Sequence, residues 1–247
     1  MFKSLEIELL KMRRTKSFLI AFLIMGFGIF WEVSAKYSQL IHSGKVESLW
    51  NNQTAETIVL PILVVIFSTK LIRHEQAGRT FKLQMANGQS FLSIFRKKLL
   101  VSILFFAILS LSETMILALV GMYAGIKISM MVFGIKVLSN ILACSSLSLL
   151  YLPFALLTEK QGLVLGSGFL GAFFGLILMR LSNQLWGFIF PILGVSYLAP
   201  YAFLSFSDGI YHYAPTSHLF LRFCLYLAYL LFQYWVVLMF LKKERGK

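Results

Sequence analysis

Glu113 and Lys136 are single charged residues inside two long apolar runs, 99–123 and 128–157. A carboxylate in hydrocarbon costs about 2.5–3.5 kcal/mol by insertion scales, so it should face other protein groups. If the runs form a helical hairpin that turns near 125–127, the two residues lie at similar depth. We therefore predict that Glu113 and Lys136 form an intramembrane pair. The alternative is that each one separately lines a wet cavity or extends toward the membrane surface.

Catalytic and metal-binding patterns are missing from the sequence. The membrane-depth acids Glu32 and Glu113 are isolated from each other, and no two histidines lie within four positions, so a zinc helix of the H-E-x-x-H type is excluded. The phosphate-binding pattern G-x-x-x-x-G-K-[ST] is also missing, so this chain should not hydrolyse ATP. We predict no catalytic residue, no metal and no cofactor in the chain.

Glycines recur through the run 163–179. Residues 166–171 match the pattern G-x-G-x-x-G, but a dinucleotide site needs a strand before it and a soluble helix after it. Small residues spaced four apart instead allow two membrane helices to approach closely. We predict helix packing at Gly162, Gly166, Gly171 and Gly175.

Composition defines the class that holds these residues. Of 247 residues, 58% are hydrophobic and 13% are charged, with a mean hydropathy of +0.79. A soluble domain could not cover so much apolar surface, so soluble enzymes, disordered tails and disulfide scaffolds are excluded. The net charge of +13 is explained by basic cytoplasmic loops, and no nucleic-acid partner is expected. Cys144 and Cys224 lie inside apolar segments.

Six apolar stretches predict helical spans; the second of them, 57–69, is short and becomes long enough only if residues 55 and 71–72 are included. They cover 17–33, 57–69, 99–123, 128–157, 163–179 and 219–241. The stretch 185–206 is broken by two prolines and two glycines, and we interpret it as an outer re-entrant hairpin before the last span. Strands are not expected, because the runs do not alternate. The predicted fold is an all-α integral membrane protein; counting 185–206 as a seventh span would place the C-terminus outside.

Basic residues cluster before the first span, between the second and third, and after the last. The positive-inside rule therefore places both termini in the cytoplasm, and the first span is expected to be retained rather than cleaved as a signal peptide. In 1–16, apolar residues share one helical face, which predicts an interfacial helix; the alternative is a plain basic flank. The loop 73–98 favours a docking helix, an Asn-Gly break and a second amphipathic helix, with a solvated basic loop as the alternative.

The loop carries the pattern Glu75-x-x-Gly78-Arg79-Thr80-x-Lys82-Leu83, followed by Ser90 and by Lys97-Lys98. This pattern resembles the first cytoplasmic loop of type-2 ABC exporter permeases, and most closely that of the lantibiotic-protection (immunity) permeases. The family has a proline two residues before the serine, where this chain has Gly88. The interfacial helix, six spans and re-entrant hairpin are also similar, so the resemblance covers 1–247 as one transmembrane domain.

The resemblance implies an exporter subunit in the bacterial cell membrane that expels lantibiotic-type peptides. A separate ATPase, in two copies, would bind ATP and Mg and contact the coupling residues Glu75, Gly78, Arg79 and Lys82. A second homologous permease or a second copy of this chain would complete the membrane part. The alternatives are an exporter of a drug, a lipid or a polysaccharide, and a non-transporting scaffold or sensor.

Aromatic residues are frequent in and after the broken stretch. Tyr197 and Tyr201 are candidates for contact with a peptide substrate. The alternative is an aromatic belt at the membrane–water interface.

Overall fold

A computed structural model describes residues 17–43, 50, 53–77, 86, 88–158, 160–207 and 210–244. The predicted interfacial helix at 1–16 lies outside these residues. The helices are α1 (Ser17–Ser43), α2 (Gln53–Ala77), α3 (Phe91–Tyr123), α4 (Met130–Leu157), α5 (Gln161–Leu178), the short α6 (Gly194–Tyr197) and α7 (Leu219–Glu244). Three 3₁₀ turns connect α5 to α6, at Met179–Asn183, Leu185–Ile189 and Pro191–Leu193. Two strands, β1 (Tyr201–Ser207) and β2 (Ile210–Pro215), precede α7.

Within the described residues, five helical segments are long and apolar enough to cross a membrane: Ala55–Arg73, Phe91–Tyr123, Met130–Leu157, Gln161–Asn183 and Leu219–Lys243. The apolar part of α1, Phe18–Ser34, is shorter. The prediction of a helical, multi-pass membrane protein is therefore confirmed. A sixth crossing by α1 stays a prediction.

The helices extend into both ends of the predicted loop 73–98. Helix α2 continues to Ala77, and α3 begins at Phe91, where the Ser90 hydroxyl caps it by accepting a hydrogen bond from the Ser93 N–H at 3.2 Å. Gly88 has a φ of +78°, which suits a break before the cap. The prediction of a separate second amphipathic helix in this loop is therefore wrong, because its residues from Phe91 onward form the first part of α3.

Helix α4 lies at the centre of the bundle and packs against α2, α3, α5, α6 and α7. In its most apolar window 72% of the residues are buried, compared with 11% for α7. Apolar side chains can face lipid at no cost in free energy, because lipid tails are themselves apolar. A weakly buried helix such as α7 can therefore contact lipid, whereas α4 is surrounded by other helices. The polar groups that α4 carries are therefore enclosed by protein.

An aromatic cluster joins α1, α2 and α3. The rings of Phe67 and Phe105 stack with centroids 4.3 Å apart, and Phe18 and Phe106 pack against Phe105 at 5.0 and 5.3 Å. Such ring pairs add about 0.5–1.5 kcal/mol beyond the burial of their surface. The cluster fixes the three helices against one another.

The stretch 185–206 is irregular, as its prolines and glycines predict, and its entry into the membrane as a re-entrant hairpin stays a prediction. It consists of 3₁₀ turns, α6 and the strand β1, which pairs antiparallel with β2 from Tyr201 opposite Pro215. The prediction of no strands is wrong for this hairpin. The strand was missed because it is short, and a bulge between Phe203 and Ser205 interrupts its alternation. Pairing within the hairpin satisfies backbone groups of the two strands.

The predicted helix packing of the glycines can be compared with the space around each one. A Cβ added to Gly171 would lie 2.6 Å from Tyr151 Oη, and one added to Gly175 would lie 2.6 Å from Ile192 Cγ2. Gly162 and Gly166 have nothing within 4 Å of that position, so the prediction does not hold for them within this chain. Val164 and Gly168 in the same part of α5 are buried, so Gly162 and Gly166 lie on a different face of this helix.

Gly168 was not predicted, and a Cβ there would overlap the Val65 side chain of α2. We expect Gly168→Ala to lower the melting temperature of the chain in lipid nanodiscs by several degrees, because overpacking costs about 1–3 kcal/mol. Gly166→Ala, on the same helix but facing open space, is the matched control and should not lower the melting temperature, because alanine favours a helix where it meets no neighbour. Equal melting temperatures for the two variants would contradict this packing.

Candidate functional site

A row of polar side chains runs along the buried side of α4. The members lie three, four and ten residues beyond the first one, which places them on one side of a helix, and each is at most 1% exposed: Lys136, Ser139, Asn140 and Ser146. Hydrophobic burial alone would not select these residue types. Their partners on neighbouring helices therefore define the candidate site.

Lys136 forms an ion pair with Glu56 in the first turn of α2. The Nζ atom lies 2.6 Å from both carboxylate oxygens, and the two side chains are 1% and 3% exposed. Breaking a buried pair by removing one partner leaves an uncompensated charge and is strongly destabilising. The pair therefore ties α4 to the start of α2.

The predicted pair of Glu113 with Lys136 is wrong. Glu113 instead accepts a hydrogen bond from Asn140 Nδ2 at 3.0 Å, while Lys136 pairs with Glu56. The prediction considered only the α3–α4 hairpin, but α2 also packs against α4 at this depth. The predicted span 57–69 needs residue 55 to be long enough, which brings Glu56 into it, and α2 begins at Gln53; the carboxylate of Glu56 was nevertheless not considered as a partner.

The interpretation of the buried acids as isolated is also corrected. Glu32 of α1 and Glu56 of α2 both act electrostatically on Glu113 of α3, and all three are at most 4% exposed. Packing of four helices brings these carboxyl groups around Lys136. Among the described side chains, no group of His, Cys, Asp or Glu has the arrangement of a metal site.

Further along α4, two polar contacts join it to α3 and α7. The hydroxyl groups of Ser102 and Ser148 lie 2.9 Å apart. The amide of Gln233 on α7 uses both of its ends on Ser146: Oε1 accepts from the hydroxyl at 2.8 Å, and Nε2 donates to the backbone carbonyl at 3.0 Å. Partnered polar groups of this kind fix helix register in an apolar medium.

The short helix α6 is held by hydrogen bonds to α2 and α4. The hydroxyl groups of Thr57 and Ser196 lie 2.9 Å apart, and Ser139 Oγ donates to the carbonyl of Leu198 at 2.8 Å. Since Thr57 follows Glu56 directly, the start of α2 contacts both the ion pair and α6. The segment between α5 and β1 is therefore anchored to the polar side of the bundle.

Arg222 of α7 clamps the same segment. Its Nη1 donates to the carbonyls of Ser182 and Tyr197 at 2.8 and 3.2 Å, and its Nη2 donates to the carbonyl of Asn183 at 2.6 Å. The guanidinium also lies 5.0 Å from the ring centroid of Tyr197. The planar fork of arginine matches these carbonyls, which sequence reasoning had no signal to find.

Tyr197 is enclosed, contrary to its predicted role in peptide contact. Its side chain is 0% exposed, its hydroxyl donates to the carbonyl of Leu185 at 2.8 Å, and its ring stacks on Tyr226. The prediction is wrong for this residue because its ring supports Arg222 instead of facing solvent. Tyr201, at the start of β1, is half-buried and packs against the main core.

The predicted coupling residues lie at the edge of the described chain. Glu75 is in the last turn of α2, its side chain is outside the described part, and Gly78, Arg79 and Lys82 are outside it entirely. The neighbouring Gln76 donates from Nε2 to the carbonyl of Ala155 near the end of α4, at 3.4 Å. Helices α2 and α4 are thus in polar contact near both of their ends.

Long apolar helices with enclosed charges define a multi-pass membrane protein. The family model described as ABC-2 family transporter protein matches residues 4–179 of the 247. The chain belongs to this family, whose members are the transmembrane subunits of ABC transporters rather than ATPases and normally work with an ATPase partner. Comparison with curated proteins and with solved structures gives no match.

We expect Lys136→Met to lower the free energy of unfolding by about 3–5 kcal/mol, because Glu56 is left as an unpaired buried charge. Adding Glu56→Gln should recover most of that loss. Thermal unfolding in nanodiscs measures both effects. Lys127→Met, at an exposed position, is the control. If the Lys136→Met variant had the same melting temperature as this control, the pair of Lys136 and Glu56 would not stabilise the fold.

We expect Arg222→Lys to increase hydrogen–deuterium exchange across 182–198, since an ammonium cannot reproduce the fork that holds three carbonyls. Arg180→Lys, an exposed position in the adjoining 3₁₀ turn, should leave exchange unchanged. Exchange would be followed by mass spectrometry of the full chain in nanodiscs. Unaltered protection in Arg222→Lys would show that the clamp does not hold the segment.

Proposed function

We propose that the chain is the permease subunit of an ATP-driven exporter that expels lantibiotic-type peptides from the bacterial cell membrane. The family match over 4–179 carries the exporter part of this proposal. The peptide part is supported by the sequence of the loop around Glu75–Lys82, which resembles the lantibiotic-protection permeases. Because the cargo leaves from the membrane, an apolar bundle with few charges suits it.

In this proposal the chain crosses the membrane six times with both termini in the cytoplasm. Helix α1 has 27 residues, or about 40 Å at 1.5 Å per residue, so it can span even though its apolar part is short. Lys242 and Lys243 end α7 on the cytoplasmic side, in agreement with the positive-inside rule. The segment from the 3₁₀ turns to β2 then lies on the outer side.

The contacts of α2 support a route from the ATPase to this outer segment. At its cytoplasmic end, α2 carries Glu75 and is bound to α4 through Gln76. At its other end, Glu56 and Thr57 bind α4 and α6. A push by the ATPase on the segment Gly78–Lys82 would therefore be transmitted along one rigid helix, as coupling between distant sites requires.

Since Tyr197 is enclosed, peptide contact in this proposal falls on exposed aromatic residues of the outer segment. Trp186 and Phe203 are 47% and 38% exposed. A second permease subunit, either homologous or a second copy, would face the first one across the transport path, and two ATPase copies would bind the two coupling loops.

The test is antibiotic protection in a sensitive bacterial strain. The chain is expressed with its cognate ATPase, and the minimal inhibitory concentration of a lantibiotic is measured. We expect a several-fold increase that a P-loop lysine variant of the ATPase abolishes. If the minimal inhibitory concentration rose for a drug but not for a lantibiotic, the cargo would be the drug. If the chain did not co-purify with any ATPase, the scaffold or sensor would be favoured.

We expect Arg79→Ala and Lys82→Ala to abolish protection while the chain remains in the membrane at normal abundance. Charged residues at the rim of a docking surface steer association and give specificity for the partner, so their loss weakens the contact with the ATPase. Lys127→Ala, in the turn between α3 and α4 at the opposite end of the bundle, is the matched control. Retained protection in both coupling variants would contradict the assignment.

A further inference from the structure

The carboxyl groups beside Lys136 outnumber the positive charge that the cluster supplies. Lys136 lies 2.6 Å from both oxygens of Glu56, so this pair is neutral by itself. Glu113 adds a second carboxyl group, which is 1% exposed and acts electrostatically on the same Lys136. Two ionised carboxyl groups beside one ammonium group would leave a net negative charge in an apolar bundle, and a proton on one of them removes that charge.

The amide of Asn140 gives an independent indication of this proton. Asn140 is 0% exposed, and its Nδ2 donates to Glu113 Oε2 at 3.0 Å, which directs the side chain into the cluster. Its carbonyl atom Oδ1 is buried and has no hydrogen-bond donor. A buried acceptor of this kind is normally satisfied. A protonated Glu113 would match both ends of the Asn140 amide: its carboxyl group accepts from Nδ2, and its O–H can donate to Oδ1.

We propose that Glu113 is a proton-binding site, which holds a proton while α2, α3 and α4 are packed together and releases it when they separate. With the proton, the set of Lys136, Glu56 and Glu113 is electrically neutral. The single O–H of Glu113 is then available to Asn140 Oδ1, the acceptor beside it that has no other donor.

A proton fits this site better than a larger cation does. The side chains of Glu56, Glu113 and Lys136 are at most 3% exposed, so they enclose almost no accessible volume. The described residues hold no group of ligands arranged for a metal ion. Glu32 of α1 also acts electrostatically on Glu113, and Glu113 in turn acts on Cys144 of α4, one helical turn beyond Asn140.

Release and return of the proton follow from the position of the site. Glu56 begins α2, Glu113 is near the end of α3, and Lys136 is near the start of α4, so all three lie toward the same end of the bundle. Separation of the helices at this end admits water, which accepts the proton from Glu113. The proton returns from the same water when the helices close, so the cycle moves no net proton across the membrane.

Infrared spectroscopy of the full chain in lipid nanodiscs tests the proposal directly. A protonated carboxyl group has a carbonyl stretching band that a carboxylate lacks, and the band shifts in D₂O. At neutral pH we expect Glu113→Gln to remove the intensity of one carboxyl group per chain. Glutamine is neutral and of the same size, so this variant should fold. Loss of a carboxylate band in place of the acid band would overturn the proposal.

Two further variants separate Glu113 from its neighbours. Glu32→Gln is the matched control, and the acid band assigned to Glu113 should remain in it. Glu56→Gln removes the counter-ion of Lys136, so Glu113 should ionise to replace it, and the band should disappear although Glu113 is still present. If the band assigned to Glu113 persisted in Glu56→Gln, the charge balance on which the proposal depends would be wrong.

Discussion

A polar group inside an apolar bundle must find its partner within the protein, since lipid offers none. Helix α4 supplies hydrogen-bond or ion-pair partners to polar residues on three of the helices that pack against it. Its Lys136 binds Glu56 on α2, its Asn140 binds Glu113 on α3, and its Ser146 binds Gln233 on α7. The bundle is therefore organised around one buried helix whose partners are specified by charge and hydrogen bonding, while generic apolar packing fills the rest.

The same constraint explains how the irregular segment before α7 stays ordered. Its 3₁₀ turns leave carbonyl groups without the hydrogen bonds that a regular helix would provide. Arg222 donates to these carbonyls from its two terminal nitrogens. Thr57 and Ser139 provide further contacts to α6 and the residue that follows it. Movement of α2 or α7 must therefore alter this segment, which is the contact that the proposed transmission from an ATPase requires.

The sequence was sufficient for the class and for the positions of the helices, because hydropathy over a long run depends on composition alone. It also identified Glu113 and Lys136 as enclosed charges. It could not identify their partners, since Glu56 reaches Lys136 only through the packing of α2 against α4. Tyr197 was misjudged for the same reason: an aromatic residue can face solvent or support an arginine, and only tertiary structure decides between these roles.

The most direct test of the proposed transporter is the side of the membrane on which its segments lie. Cys144 and Cys224 are replaced by alanine, and single cysteines are introduced as Gln89→Cys, Lys127→Cys, Ser217→Cys and Lys242→Cys, all at exposed positions. A membrane-impermeant maleimide should label Lys127→Cys and Ser217→Cys in intact cells, and Gln89→Cys and Lys242→Cys only after the membrane is broken. Labelling of Lys242→Cys from outside would contradict six crossings and a cytoplasmic C-terminus.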